Sequence, residues 1–233
     1  HNSGMSDTTA NPFIVIDPDV NFSFGETCTV TLDKTKIADA DGSLLGLADD
    51  YTFSFSILTP GSCTSAYFSE YVEGSGNNKA LEIFNGTGVA LDLTGWSVKG
   101  YFNASTAATH IASLDGTIAQ NDVLVICNNN TMNSSELLSR CDIKLNSVTF
   151  NGNDTVVLLD ENLHVVDSIG KIAENPSIEW GSGLISTADN TLRRKAGILM
   201  GDIDPNDSFD PALDWDGFVT DTFDGLGSHS SYC

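Results

Sequence analysis

Thr155-Val156-Val157-Leu158-Leu159 runs into Asp160-Glu161-Asn162 and, two residues later, into Val165-Val166-Asp167-Ser168-Ile169. Branched and aliphatic runs of this length fit a pleated, half-buried surface, and Asp and Asn bond their own backbone in turns. The stretch therefore predicts two antiparallel strands joined by a hairpin. Working outward, further strands are expected at Ala66–Val72, Ala80–Phe84, Trp96–Phe102, Val123–Cys127, His164–Ile169 and Thr191–Lys195. Only Ser134–Ser139 has helical character. Many short strands between Gly- and Asn-rich turns predict an all-β sandwich or barrel.

Upstream, Phe13–Ile16, Cys28–Leu32 and Tyr51–Ile57 are also strand-like, with Pro18, Gly25 and Gly42 marking turns. These are too few strands to close a sandwich, so residues 1–58 read as part of a domain, with 59–64 as a linker. An incomplete sandwich exposes strand edges, which makes self-association through this segment an expectation.

The 233 residues carry 10 Lys+Arg against 32 Asp+Glu, a formal net charge of -22. That field repels phosphate, so direct nucleic-acid binding is expected to be weak or absent. Hydrophobic residues at 40% and charged residues at 18% suit a folded chain. No run is long and apolar enough to span a membrane as a helix.

The cysteines are Cys28, Cys63, Cys127, Cys141 and Cys233, with no CxxC among them. The histidines lie far apart, so zinc is disfavoured and disulfides in an oxidising, secreted setting are favoured. Cys127 and Cys141 flank a single Asn/Ser-rich loop and are expected to pair; closing such a loop stabilises by ~3 kcal/mol. Cys63 and Cys233 are placed to tie the ends of the second domain. Cys28 is left over, and its partner is expected in sequence upstream.

Two stretches carry a family resemblance. Phe68-Ser69-Glu70-Tyr71-Val72, followed by Ala80-Leu81-Glu82-Ile83-Phe84-Asn85 and Leu91-Asp92-Leu93-Thr94-Gly95-Trp96, resembles the opening of the lamin-tail domain. Glu179-Trp180-Gly181-Ser182-Gly183-Leu184, Ser186–Lys195 and Trp215-Asp216-Gly217-Phe218 resemble the bacterial version found in large secreted endonuclease/exonuclease proteins. The resemblance spans about residues 65–227, leaving 228–233 as the start of a further linker. It implies an immunoglobulin-like sandwich of lamin-tail type. Asp17-Pro18, Gly25–Val30 and Asp50–Phe55 resemble the C-terminal half of the bacterial immunoglobulin-like domain that precedes that module. The nuclease constellation of such proteins, with its Ser-Asp-His, is missing; the chain has Gly227-Ser228-His229-Ser230 instead.

Candidate sites follow from residue type and spacing. Asp202, Asp204, Asn206 and Asp210 alternate as oxygen ligands for calcium would, though Asp207 and Leu213 stand where an EF-hand needs Gly and Glu. Glu70, Glu73, Asn77 and Glu82 could form an acidic cage or ligand-recognition rim; the alternative is structural, with Lys79 pairing one of the glutamates. Arg193-Arg194-Lys195 is the one basic cluster, but strand geometry splits it between two faces, so pairing with carboxylates is favoured over phosphate contact. Trp96, Trp180 and Trp215 read as core. Sequons stand at Asn21, Asn85, Asn103, Asn129, Asn133, Asn153 and Asn206.

The function expected from all this is a non-catalytic accessory region of a secreted multidomain enzyme, by resemblance an extracellular nuclease. It would space, position or anchor other domains of the same polypeptide. The rival reading is a structural or adhesive surface module, calcium-stabilised.

Overall fold

A computed structural model describes residues 22, 26–35, 49–56 and 63–232. The chain divides into two compact units, residues 1–60 and 61–233. Among the described residues of the first unit are β1 (Thr27–Leu32) and β2 (Tyr51–Ser56), an antiparallel ribbon. Register places Cys28, Val30 and Leu32 opposite Phe55, Phe53 and Tyr51, so one face is apolar. The strand expected at Phe13–Ile16 lies outside the described residues.

The second unit begins with β3 (Ala66–Glu73), β4 (Lys79–Asn85), β5 (Leu91–Asp92), β6 (Ser97–Tyr101), β7 (Thr109–Ser113) and β8 (Thr117–Ile118). It continues through β9 (Val123–Asn128), α1 (Ser135–Arg140), β10 (Ile143–Leu145), β11 (Thr155–Leu159) and β12 (Val165–Ile169). It closes with β13 (Gly181–Ser182), β14 (Ile185–Ser186), β15 (Asn190–Arg194), α2 (Pro211–Asp214) and β16 (Trp215–Phe218). A six-stranded sheet, β10-β9-β4-β3-β15-β16, faces a four-stranded sheet, β12-β11-β6-β7. Phe68, Tyr71, Leu81, Ile83, Ile126, Leu192 and Trp215 from the first sheet share one core with Val98, Ile111, Val156, Leu158 and Ile169 from the second. The fold is an all-β, immunoglobulin-like sandwich.

Most expected strands form, with ends shifted by a residue or so. Among the strands of the two main sheets, β7, β10 and β16 escaped the sequence reading. β7 is short and half polar, while β16, Trp-Asp-Gly-Phe, contains two poor strand formers. β16 exists because it pairs with β15 from Thr191↔Phe218 to Arg194↔Trp215, a tertiary contact that overrides propensity.

One irregularity decides where charge goes. The β3–β4 register shifts between Phe68 and Glu70, so Ser69 is an extra residue in the ladder. Strict alternation from Phe68 would aim Glu70 inward; the bulge reverses the phase, and Tyr71 takes the inward position instead. Glu70 then shares the outer face with Tyr67 and Val72. That face is covered by a second, smaller cluster in which Leu137 of α1, Phe223 and Leu226 pack on Val72, Ala80, Val125 and Cys127.

Candidate functional site

The charged residues of β3, β4, β12 and β15 converge in three buried clusters. The deepest joins the two sheets. Asp167 on β12 and Arg194 on β15 form an ion pair with side chains 0% and 1% exposed. Asp167 also accepts the main-chain N–H groups of Phe68 (2.7 Å), Ser168 (2.9 Å) and Asp202 (2.7 Å). Arg194 donates through Nε to the Phe68 carbonyl at 3.0 Å and lies 4.1 Å from the Trp215 ring centroid. The β3–β15 ladder ends at Glu70↔Arg193, and beyond it Asp167 and Arg194 take over the backbone groups of Phe68.

The second cluster sits on the outer face. Glu70 and Glu82 are direct cross-strand partners, 2% and 1% exposed. Arg193 Nε donates to Glu70 Oε2 at 3.1 Å, and the same guanidinium bonds Asp224. Glu82 accepts from the Ser69 hydroxyl at 2.7 Å and from the Gly227 N–H at 2.6 Å. Burial pushes Glu70 up to about 8, with Arg193 opposing; burial likewise pushes Glu82 up to about 7, opposed by the Ser69 and Gly227 donors. In the third cluster Lys79 pairs with Glu73, whose other oxygen accepts the Asp189 N–H.

The ligand rim expected of Glu70, Glu73, Asn77 and Glu82 is therefore not assembled. Glu73 pairs with Lys79, Glu70 and Glu82 are capped on the opposite face, and all three are buried. Asn77 alone is exposed, lining a hollow of about 440 Å³ with Asn128, Asn130 and Asn146. A groove of about 590 Å³ is lined by Trp96, Leu91, Asp92, Asp160 and Glu161. Its carboxylates are partly engaged locally: Asp92 accepts from Thr94, and Asp160 from Asn162 and His164.

Asp202, Asp204, Asn206 and Asp210 lie in the loop that leads into α2. Asp202 accepts the N–H of Asp204 (3.0 Å), Asp204 that of Asn206 (3.1 Å), and Asp210 that of Ala212 (3.0 Å) at the helix start. The two-residue spacing that suggested calcium is the spacing of side chains that bond the backbone two residues on. Among the described residues no group of three or more His, Cys, Asp or Glu is arranged to hold a metal ion.

Cys127 and Cys141 are bonded, with S–S 2.06 Å and Cα–Cα 5.8 Å, tying the end of β9 to the end of α1. Cys63 is in a disulfide whose partner lies outside the described residues, as Cys233 does. Cys28 carries no disulfide. Arg193 and Arg194 point to opposite faces and are both ion-paired. Trp96, Trp180 and Trp215 are buried. Asn85 is fully buried and donates to the carbonyls of Val89, Ile118 and Ala119, so its sequon is structural. His229 stacks edge-on against Tyr67 and Phe84, and burial, with Arg194 nearby, pushes it down to about 4.

Sequence reasoning passed over Asp167 and the segment around Asp224. The signal for Asp167 was present: an acid at the centre of an otherwise apolar strand requires a buried partner.

Residues 59–173 match the family model of the Lamin Tail Domain. The lamin-tail match covers β3 to β12 and ends before β15, yet β15 lies between β3 and β16 in the same sheet. The sandwich is therefore completed by residues beyond the matched segment, which supply Arg193 and Arg194. A lamin tail domain is a structural, immunoglobulin-like module. No curated protein and no solved structure matches the chain.

Proposed function

We propose that this chain is a non-catalytic accessory region of a secreted multidomain enzyme, an extracellular nuclease by its resemblance, in which it spaces, positions or anchors the other domains. The observation that carries the reading is the fate of its charges. Glu70, Glu73, Glu82, Asp167, Arg193 and Arg194 are all spent on bonds inside the sandwich. General acid–base or metal-assisted catalysis needs such groups facing a space that substrate can enter. A small module locked by disulfides suits an oxidising compartment, which supports secretion.

Incubation with plasmid and linear DNA in Mg²⁺, Ca²⁺ or Mn²⁺ is expected to give no cleavage. Binding to DNA at physiological salt is expected to be weak, given the net charge of -22. Cleavage that disappears on a point substitution within residues 65–227, or sub-micromolar salt-sensitive binding, would overturn the proposal.

A further inference from the structure

Residues 219–228 form a strap across the outer face of the six-stranded sheet. Its two apolar side chains, Phe223 and Leu226, enter the small cluster beside Val72, Ala80, Val125 and Leu137. Its backbone passes directly over the acidic pair: a Cβ at Gly225 would stand 2.2 Å from both Glu70 Oε2 and Arg193 Nε. Gly227 donates its N–H to Glu82, the Thr222 carbonyl accepts the Thr191 hydroxyl, and the Leu226 carbonyl accepts from Arg140 at 2.9 Å. The strap is fastened at both ends. Asp221 binds the Ser75 N–H and hydroxyl and the Asn78 amide, while Tyr232 donates its N–H to the Ala196 carbonyl.

Beneath the strap the charges do not balance. Glu70 and Asp224 both bond Arg193, and Glu82 lies within the field of the same guanidinium; Arg140 reaches only strap carbonyls and Glu136. Glu70 Oε1 is buried with no hydrogen-bond partner. A buried carboxylate oxygen with no donor is costly when ionised and far less so when the group carries a proton. With both glutamates ionised, two neighbouring buried carboxylates would face one guanidinium that already bonds Asp224, and like charges so close cannot both ionise cheaply. Lifting the strap admits water to both and removes the conflict.

We propose that the strap is a pH-sensitive latch, closed while the Glu70–Glu82 pair retains a proton and lifted when both carboxyls ionise. Burial holds Glu70 at about 8 and Glu82 at about 7, which places the transition on the alkaline side of neutrality. The sign follows from linkage: the closed state binds more protons than the open one, so closure is strongest below the ordinary carboxylate range and weakens as pH rises from there through these values. Opening uncovers the apolar patch around Val72, Ala80 and Leu137 while the sandwich beneath stays folded. The strap would then alternate between covering that patch and offering it to solvent.

Hydrogen exchange of the intact, disulfide-bonded protein tests this, with rates corrected for intrinsic exchange at each pH. Between pH 6 and pH 9, amides of residues 222–228 are expected to lose protection by about tenfold or more, one unit of pKa being tenfold in the equilibrium. Amides of β9 and β11 are expected to keep theirs. In the variant Glu70→Gln with Glu82→Gln, the strap should stay equally protected at both pH values. Carboxyl carbon resonances of the wild-type protein give a readout that needs no variant, since two glutamates should titrate above pH 6. Unchanged strap protection in the wild type, a pH dependence that survives in the glutamine variant, parallel loss in β11, or no glutamate titrating above pH 6 would each overturn the latch.

Discussion

Replacing Arg194 with Met removes one partner of an ion pair that bridges the two sheets and keeps much of the aliphatic volume. Asp167 would remain at 0% exposure with its charge answered only by backbone N–H groups. Breaking a buried pair from one side costs about 3–5 kcal/mol. The Phe68 carbonyl loses its donor, which adds about 1 kcal/mol. The expected loss is therefore about 4–6 kcal/mol, or roughly 8–24 °C in Tm for a domain of this size. Many buried pairs can be replaced on both sides by apolar residues at little cost. Here the double variant Arg194→Met with Asp167→Leu should not recover, because Asp167 is the acceptor for three backbone donors, each costing about 1–3 kcal/mol when orphaned. Denaturant unfolding followed by tryptophan fluorescence reads both variants, with Trp215 beside the pair as reporter. A loss below about 1 kcal/mol for Arg194→Met, or wild-type stability in the double variant, would show that the pair is not the bridge described.

Replacing Cys127 and Cys141 together with Ala should cost about 3 kcal/mol for a separation of 14 residues, read as a lower midpoint in non-reducing denaturant titration. His229 has its pKa held at about 4, so the unfolded chain takes up a proton first as pH falls from about 6.5. Its contribution is whole above pH 6.5 and lost toward pH 4, and His229→Phe should flatten that acid limb in thermal melts. Gly217→Ala should destabilise by about 1–3 kcal/mol, since a Cβ there meets the Leu184 carbonyl oxygen at 1.9 Å, a backbone atom of the hairpin over β16. Partial detachment of that hairpin would show as new proteolysis near Leu184.

Strand identity was legible in the sequence wherever side chains themselves favour the pleat. Thr155–Leu159 appears in the structure with the bounds read from the sequence, and its hairpin partner forms where β-branched residues resume. The Arg193/Arg194 split was equally readable, because alternation in a strand is local geometry. The Asp202–Asp210 pattern has two readings for a related reason: metal ligation and backbone-bonding turns both ask for oxygens at alternate positions, and spacing alone does not separate them.

What the sequence by itself determined is therefore the all-β class, most strands, and the proximity of Cys127 to Cys141 within one short loop. Those depend on interactions between near neighbours. Tertiary structure alone decided that β16 would be a strand, that Ser69 would bulge and move Glu70 to the outer face, and that Asp167 would meet Arg194 across two sheets. Each of these depends on residues far apart in sequence. A one-residue bulge inverts the facing of everything after it, and no local preference marks where it falls. The same inversion placed Glu70 beside Glu82 under the strap rather than on a rim.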